Sequence, residues 1–222
     1  MFFIMPRTVI YKRNLPHIHP QNAILFITFR LADTIPKKIL RRLLYKRNQE
    51  LKYLRALSIS KTNDKKYLIE RRFFARYDNW LDRCDSDRRW LEKPQLANIV
   101  KNKIHVLDGV YYVLISFCIM PNHVHLLIQN QSHDHSFPSL KTRNYPVANM
   151  LRVLKGTTAR ECNKMLERKG AFWHHESYDH VVRDEKELTR IVNYILLNPV
   201  KAGIAESKED WKYSYFNRSF KF

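Results

Sequence analysis

The segment "CIMPNHVHLLIQ" (residues 118–129) places two histidines two positions apart within an apolar run. On a β-strand, side chains at i and i+2 point to the same face, so His123 and His125 would lie side by side, roughly 6–7 Å apart. Two imidazoles at that separation can both reach one divalent cation. Two core histidines whose hydrogen bonds are satisfied would show the same pattern. A metal site would also need a third protein ligand from elsewhere in the chain.

A helix predicted near the carboxyl end offers further reactive groups. Asp184 and Glu187 form a D-x-x-E capping box, which predicts that the helix begins there and runs to Asn198, where Pro199 ends it. At 3.6 residues per turn, Tyr194 and Asn198 lie about 40° apart at the edge of the apolar stripe. A phenol and a carboxamide therefore share one face, although a half-buried aromatic residue and a C-terminal capping asparagine would look the same.

The elements that must position these residues alternate in an α+β order. Ala23–Asp33 has the alternation of a strand, and Pro94 opens a helix that Gly109 stops. A buried strand over about Val110–Met120 then turns into the histidine strand, and a helix over about Val147–Arg168 and a short strand in "ESYDHVVR" follow. Without the final helix the order is βαββαβ, which predicts a ferredoxin-like antiparallel sheet with helices on one face.

A strongly basic segment, residues 37–76, follows the first strand. It contains fourteen Lys or Arg against three acidic residues, a net +11 out of the chain's formal +19. Leucines at helical spacing predict a basic, mostly helical insertion over residues 37–90, within a single domain that covers residues 1–222. Such an excess of positive charge favours a polyanionic partner, foremost a nucleic acid, although a solvated helix face is the alternative. We expect four of its side chains to contact DNA phosphates: Lys37, Lys38, Arg41 and Arg42.

The composition excludes several other classes of protein. The longest apolar stretch is far shorter than the ~20 residues of a membrane-spanning helix, and the N-terminus has no signal-peptide pattern, so we expect a cytoplasmic protein without a membrane partner. Three widely spaced cysteines, Cys84, Cys118 and Cys162, form neither a disulfide framework nor a metal knuckle. The four glycines never cluster, which argues against a phosphate-binding loop for ATP or a dinucleotide.

Three segments together resemble a known family. "MPNHVHLLI", "FWHHESYDHVVRDEKEL" and "IVNYILLNPVKAGI" are similar to the REP-associated tyrosine transposases, which are relatives of the single-tyrosine transposases of small insertion sequences. These proteins belong to the HUH (His-hydrophobic-His) class of single-stranded DNA nucleases. The similarity runs from about Ala23 to Phe216 and is interrupted by the basic segment. The three motifs in this order and spacing are much more specific than any one of them alone.

The resemblance assigns a role to each candidate residue. It implies that His123 and His125 bind a divalent metal, Mg²⁺ or Mn²⁺, and that Tyr194 is the nucleophile. Asn198 matches the third metal ligand, where the relatives in mobile elements often have Gln, which has a longer reach. Three further positions match residues that lie close to bound DNA in the family: Lys155, His180 and Arg183.

The implied reaction is metal-dependent cleavage and rejoining of single-stranded or hairpin DNA, such as REP-like palindromes, through a covalent 5′-phosphotyrosine. The resemblance implies a bacterial, nucleoid-associated protein that acts as a monomer or homodimer. Because the tyrosine conserves the phosphodiester, no ATP is needed, which agrees with the absence of a glycine-rich loop. Four aromatic residues are candidates for base stacking, with a place in the core as the equal alternative for each: Tyr111, Tyr112, Phe172 and Trp173.

Two alternatives from other classes stay open. A non-catalytic RNA- or DNA-binding module could use a ferredoxin-like sheet, but it would show aromatic residues where this chain has His123 and His125. A zinc hydrolase or deaminase would need H-E-x-x-H or P-C-x-x-C, and neither motif occurs in the sequence.

Overall fold

The computed structural model describes residues 8–12, 16–56, 62–83, 87–131 and 146–220, so Cys84 and most of the polar segment before Pro146 lie outside the described residues. The chain divides into two compact units. One unit comprises residues 1–32 and 90–222, and the other comprises residues 33–89.

Strands and helices alternate along the first unit. Its elements are β1 (Thr8–Lys12), β2 (Pro16–Pro20), β3 (Ile24–Arg30), a short 3-10 helix (Trp90–Glu92), α3 (Pro94–Leu107), β4 (Tyr112–Ile119), β5 (His123–Asn130), α4 (Pro146–Met165), β6 (Tyr178–Val181), α5 (Glu185–Lys201) and β7 (Ser214–Phe216). The helices α1 (Lys37–Ala56) and α2 (Thr62–Asp82) belong to the second unit.

Five of the strands form one antiparallel sheet in the order β6–β3–β5–β4–β7, and β1 pairs with β2 in a separate hairpin. Without β7, the spatial order of the βαββαβ strands is fourth, first, third, second, which confirms the predicted ferredoxin-like core. The β1–β2 hairpin and β7 were not predicted. The hairpin strands begin or end at prolines, and β7 has only three residues, too few to show a period.

Helices cover both faces of this sheet. Val124, Leu126 and Ile128 of β5 belong to one hydrophobic cluster with residues of α3 and α4. Their neighbours on β5 point to the opposite face, where side chains of α5 contact His125. The predicted one-sided arrangement therefore holds for α3 and α4, while α5 lies against the second face.

Two predicted helix ends were wrong. α5 does not end before Pro199 but continues to Lys201, because a proline in the last turn removes only one backbone hydrogen bond of the helix. The helix instead ends where Gly203 adopts a positive φ of 70°. α4 ends at Met165, three residues before the predicted Arg168, and Glu167 has a φ of 51° that is incompatible with an α-helix.

The second unit consists of two helices that pack against each other, which agrees with the predicted helical character of the basic segment. Arg47 forms a bidentate ion pair with Glu70, and Glu50 accepts from Arg72 and Arg76. These pairs hold three of the fourteen basic side chains between the helices. The four residues predicted to contact phosphates lie in the first two turns of α1, and all are exposed: Lys37, Lys38, Arg41 and Arg42. Among the described residues, no helix is long and apolar enough to cross a membrane.

Candidate active site

His123 and His125 are the first and third residues of β5, which begins directly after the Pro121–Asn122 turn. The register of the sheet places Thr28 of β3 opposite His125 and Arg30 opposite His123. Both imidazoles are fully buried. The sheet thus supplies a polar partner from the neighbouring strand inside an otherwise apolar core.

Hydrogen bonds orient both rings toward one point. The Nδ1 atom of His123 lies 2.6 Å from Oδ1 of Asn122, and because an amide oxygen only accepts, this nitrogen carries the proton. Nδ1 of His125 lies 2.8 Å from the hydroxyl of Thr28. The two Nε2 atoms therefore face each other, 3.0 Å apart. A second partner on the outer nitrogen is the usual arrangement of a metal-binding histidine, since it sets the tautomer and the ring orientation.

Electrostatics keep both rings in the form that binds metals. Burial lowers the pKa of His123 well below its ordinary value, and the neighbouring His125, when protonated, and the ammonium of Lys201 act in the same direction. Burial, with Lys201 as a second cause, lowers the pKa of His125 to about 3. Both imidazoles are therefore neutral at physiological pH, and a neutral imidazole offers a nitrogen lone pair to a cation.

Asn198 adds an oxygen to this group. It is fully buried on α5, with Nδ2 3.3 Å from Nε2 of His125. Its Oδ1 is buried and has no hydrogen-bond partner among the described residues. A 180° flip of the carboxamide would turn this oxygen toward the two Nε2 atoms, where a cation would satisfy it. Two imidazole nitrogens and one amide oxygen therefore fit a divalent metal, with positions left open for water or substrate.

Tyr194 lies beside this group, one helical turn before Asn198. Its ring is half-buried, and its centroid is 5.3 Å from that of His125 and 6.0 Å from that of Phe26. The ammonium of Lys201 lies 5.7 Å from the centroid of the tyrosine ring. The structure thus brings together the four residues predicted from the sequence to take part in cleavage.

A second cluster surrounds the start of α5. Glu187 is buried, and its carboxylate accepts from Nε2 of His180 at 3.1 Å and from the backbone N–H and Nε of Arg183 at 3.0 and 3.3 Å. It also accepts from Nη2 of Arg190 at 3.1 Å. Burial lowers the pKa of His180, an effect that Glu187 opposes. Two predicted DNA contacts, His180 and Arg183, are therefore held by one carboxylate.

Only one of the two hydrogen bonds of the predicted capping box forms at the start of α5. The side chain of Asp184 accepts from the backbone N–H of Glu187 at 2.7 Å, as expected. The carboxylate of Glu187 does not return to the N–H of Asp184 but binds that of Arg183. Arg190 and this role of Glu187 were not predicted from the sequence, although the spacing of Arg183, Glu187 and Arg190 at i, i+4 and i+7 was a usable signal.

Lys155 lies apart from both clusters, on α4. Its ammonium donates to the backbone oxygens of His174 and His175 at 2.6 and 3.1 Å. It thereby anchors the segment that leads into β6.

Three of the four candidates for base stacking are core residues, the alternative that the sequence left open. Tyr112 is fully buried and donates its hydroxyl to the carbonyl of Ile104, because β4 is covered on both faces. Phe172 and Trp173 are also core residues of the hydrophobic cluster. Tyr111 is half-buried and packs against the same cluster. The side chains of Cys118 and Cys162 are both buried.

This chain is similar to known transposases. The family model described as "Transposase IS200 like" matches residues 84–198. A Haemophilus influenzae protein named as a REP-associated tyrosine transposase is 31% identical over 112 residues, which are 48% of this chain and 60% of that protein. The REP-associated tyrosine transposase of Escherichia coli K12 is 26% identical over 103 residues, which are 46% of this chain and 53% of its own length.

A solved structure of a REP-associated tyrosine transposase bound to a REP hairpin is also similar, at 18% sequence identity and a TM-score of 0.46. That alignment covers 89% of this chain and 79% of the other. The regions matched in the two curated relatives span a little over half of their lengths. The family model covers just over half of this chain and includes both histidines, Tyr194 and Asn198. The chain therefore belongs to the family of IS200-like transposases.

Proposed function

We propose that this protein is a metal-dependent single-stranded DNA endonuclease and strand transferase with Tyr194 as its nucleophile. One observation carries the proposal. Four side chains lie together on one face of the sheet: a phenol, a buried carboxamide whose oxygen has no hydrogen-bond partner, and two converging neutral imidazoles. A purely structural histidine pair would not explain an amide oxygen that is buried without a partner.

His123, His125 and the amide oxygen of Asn198 would hold a divalent ion, Mg²⁺ or Mn²⁺. When bound, the ion supplies positive charge that neutralises the non-bridging oxygens of a phosphodiester. Asn122 keeps His123 in the ligating tautomer, and the hydroxyl of Thr28 orients the ring of His125.

In the proposed reaction, the Tyr194 oxygen attacks the phosphorus in line and the bond from phosphorus to the 3′ oxygen breaks. The phenol loses its proton, and the departing 3′ oxygen gains one, so a 5′-phosphotyrosine and a free 3′-hydroxyl result. Attack of a 3′-hydroxyl on the phosphotyrosine reverses the step and rejoins a strand. Because one phosphodiester replaces another, the exchange needs no nucleotide cofactor.

The proposed substrate is single-stranded or hairpin-forming DNA such as a REP-like palindrome. The chain has a formal charge of +19, and four cationic side chains are exposed at the start of α1. Membership of the IS200-like family also supports a DNA substrate. The setting would be the nucleoid of a bacterial cytoplasm, and the acting form would be a monomer or a homodimer.

The test follows a strand labelled on the 3′ side of the cleavage point, because a 5′-phosphotyrosine retains that piece on the protein. With Mn²⁺ and hairpin-flanked single strands, the unaltered protein should give a labelled, slowly migrating protein band. Tyr194→Phe should bind the same DNA without forming the band, and Tyr111→Phe, which removes another half-buried hydroxyl, should still form it. An adduct in Tyr194→Phe would exclude this nucleophile. DNA binding without any adduct in the unaltered protein would support the non-catalytic alternative.

A further inference from the structure

A groove of about 610 Å³ lies in the first unit between α4 and the segment of residues 170–177. We call it the α4 groove. Its α4 side includes three small residues and two cations, Ala148, Arg152, Lys155, Gly156 and Ala159, together with Asn149 and Leu151. The opposite wall includes Trp173 and His175, and none of the lining residues is acidic. A mostly apolar groove of this size with a cationic edge fits a flat, negatively charged ligand.

Gly156 lines the α4 side of the groove, which we call its floor, and this residue is exposed. The backbone does not require glycine at this position. It lies in the interior of α4, and a Cβ atom added there would meet nothing within 4 Å. Glycine destabilises a helix interior relative to alanine, so the fold itself gains nothing from it at this position. Its missing side chain leaves open space that an external group could occupy.

The opposite wall is rigid. The indole Nε1 of Trp173 donates to the hydroxyl of Thr158 at 2.9 Å, and its ring packs edge-on against Phe29, with centroids 4.9 Å apart. A ligand in the groove therefore meets a preformed surface and loses little free energy to ordering of the protein.

Positive charge lies at the edge of the groove. The ammonium of Lys155 is fixed there by the carbonyls of His174 and His175. Arg152 is exposed one turn earlier on α4, and the side chain of His175 is 68% exposed. A phosphate group beside the groove would face two cations that the protein holds on one helix.

The groove also borders the end of the sheet that carries the histidines. Trp173 forms a bridge with Leu31, and the N–H of His174 donates to the carbonyl of Arg30 at 2.8 Å. Arg30 is the register partner of His123 on the adjacent strand. The histidine side chains lie on the face of the sheet opposite to α4, so one DNA strand could occupy both places by passing around the end of β3.

We propose that the α4 groove binds one unpaired nucleotide of the DNA strand that is cleaved. The base lies on the floor formed by Gly156 and Ala159, and its phosphate contacts Lys155 and Arg152. This inference rests on the proposed function, and it adds a recognition site that is separate from the residues assigned to cleavage.

The experiment measures equilibrium binding in a Tyr194→Phe background, so that cleavage does not interfere. The probe is a fluorescent DNA hairpin with single-stranded arms in which each arm nucleotide is replaced in turn by an abasic one. An abasic residue at the position that enters the groove should weaken binding roughly 5- to 150-fold, the range expected for loss of one stacked base. Gly156→Leu fills the floor, so it should weaken binding of the intact probe similarly and remove the sensitivity at that position.

The controls separate occupancy of the groove from misfolding and from general charge. Gly156→Leu should not lower the melting temperature, because leucine is a better helix former and the added side chain enters open space. Arg152→Gln should flatten the salt dependence of binding by roughly 0.7 in logarithmic slope. Arg160→Gln, an exposed arginine on the same helix that does not line the groove, should leave the abasic profile unchanged.

Either of two results would overturn the inference: a flat abasic profile, or a Gly156→Leu variant that binds like its parent. If the unaltered protein formed its tyrosine adduct but the abasic profile were flat, only the proposed role of the groove would be refuted. A position-specific profile without any adduct would support the groove and refute the proposed cleavage.

Discussion

Replacing Glu187 by Gln removes the charge of a buried carboxylate and leaves the shape of the side chain almost unchanged. Glu187 is 3% exposed, and its oxygens accept from Arg183, Arg190 and His180. A carboxylate only accepts hydrogen bonds, whereas a glutamine side chain has one accepting oxygen and one donating NH₂ group. In the variant, at least one of these donors must face another donor.

The contacts set the size of the expected effect. The bond from the Arg183 backbone to a charged oxygen contributes about 1.5–3 kcal/mol, of which a neutral acceptor keeps about 1. The side chains of Arg183 and Arg190 are 43% and 53% exposed, so their two ion pairs together contribute only about 1 kcal/mol after screening by solvent. A donor that loses its acceptor costs about 1 kcal/mol more. We therefore expect a loss of about 2–4 kcal/mol in the free energy of unfolding, close to 3.

Glu185→Gln is the matched control. Glu185 lies in the same first turn of α5 but is exposed, so both variants lose a similar interaction with the helix dipole. The difference between the two isolates the buried contacts of Glu187. In a protein of this size it should lower the melting temperature of Glu187→Gln by about 4–16 °C relative to Glu185→Gln. If the two variants melted within about 1 °C of each other, the carboxylate would not hold this cluster and the reasoning would be refuted.

Three other predictions concern pH, metal and salt. Burial lowers the pKa of His174 to about 4, below that of the unfolded chain, so stability should fall as pH drops from about 6.5 toward 4. The free energy of unfolding should be about 1 kcal/mol lower at pH 5, once the partial exposure of His174 is allowed for. His174→Asn keeps an acceptor for the N–H of Glu176, and in urea unfolding its stability should depend less on pH. An equally steep pH profile would contradict this assignment. Mn²⁺ at a hundredfold excess over its dissociation constant should stabilise the protein by about 2.7 kcal/mol in thermal melts, and His125→Ala should lose this gain whereas the exposed His175→Ala keeps it. A gain retained by His125→Ala would exclude the metal site. The last prediction replaces four exposed residues of α1 together by neutral ones: Lys37, Lys38, Arg41 and Arg42. The slope of log affinity against log salt should become shallower by roughly 0.7 per lost contact with single-stranded DNA. An unchanged slope would show that these side chains form only a solvated surface.

Local periodicity was sufficient to predict much of the fold and, separately, the histidine pair and the tyrosine–asparagine pair of the site. Alternation at i and i+2 placed His123 and His125 on one face of a strand, and spacing at i and i+4 placed Tyr194 and Asn198 on one face of a helix. Both relations depend only on the geometry of the element that carries the residues, so a sequence can determine them. The order of strands and helices followed from the same patterns, and the motifs identified the family.

Only the tertiary structure decided how those two pairs meet. The register between β3 and β5 pairs Thr28 with His125, and the docking of α5 on that face brings Asn198 within 3.3 Å of the same imidazole, a contact between residues 73 positions apart. Local periodicity cannot specify such contacts, because a strand can shift its register and a helix can cover either face until the packing of the whole core selects one arrangement. The same packing buried Trp173, which the sequence offered as a base-stacking residue, and left the open floor at Gly156 that no periodic pattern indicates.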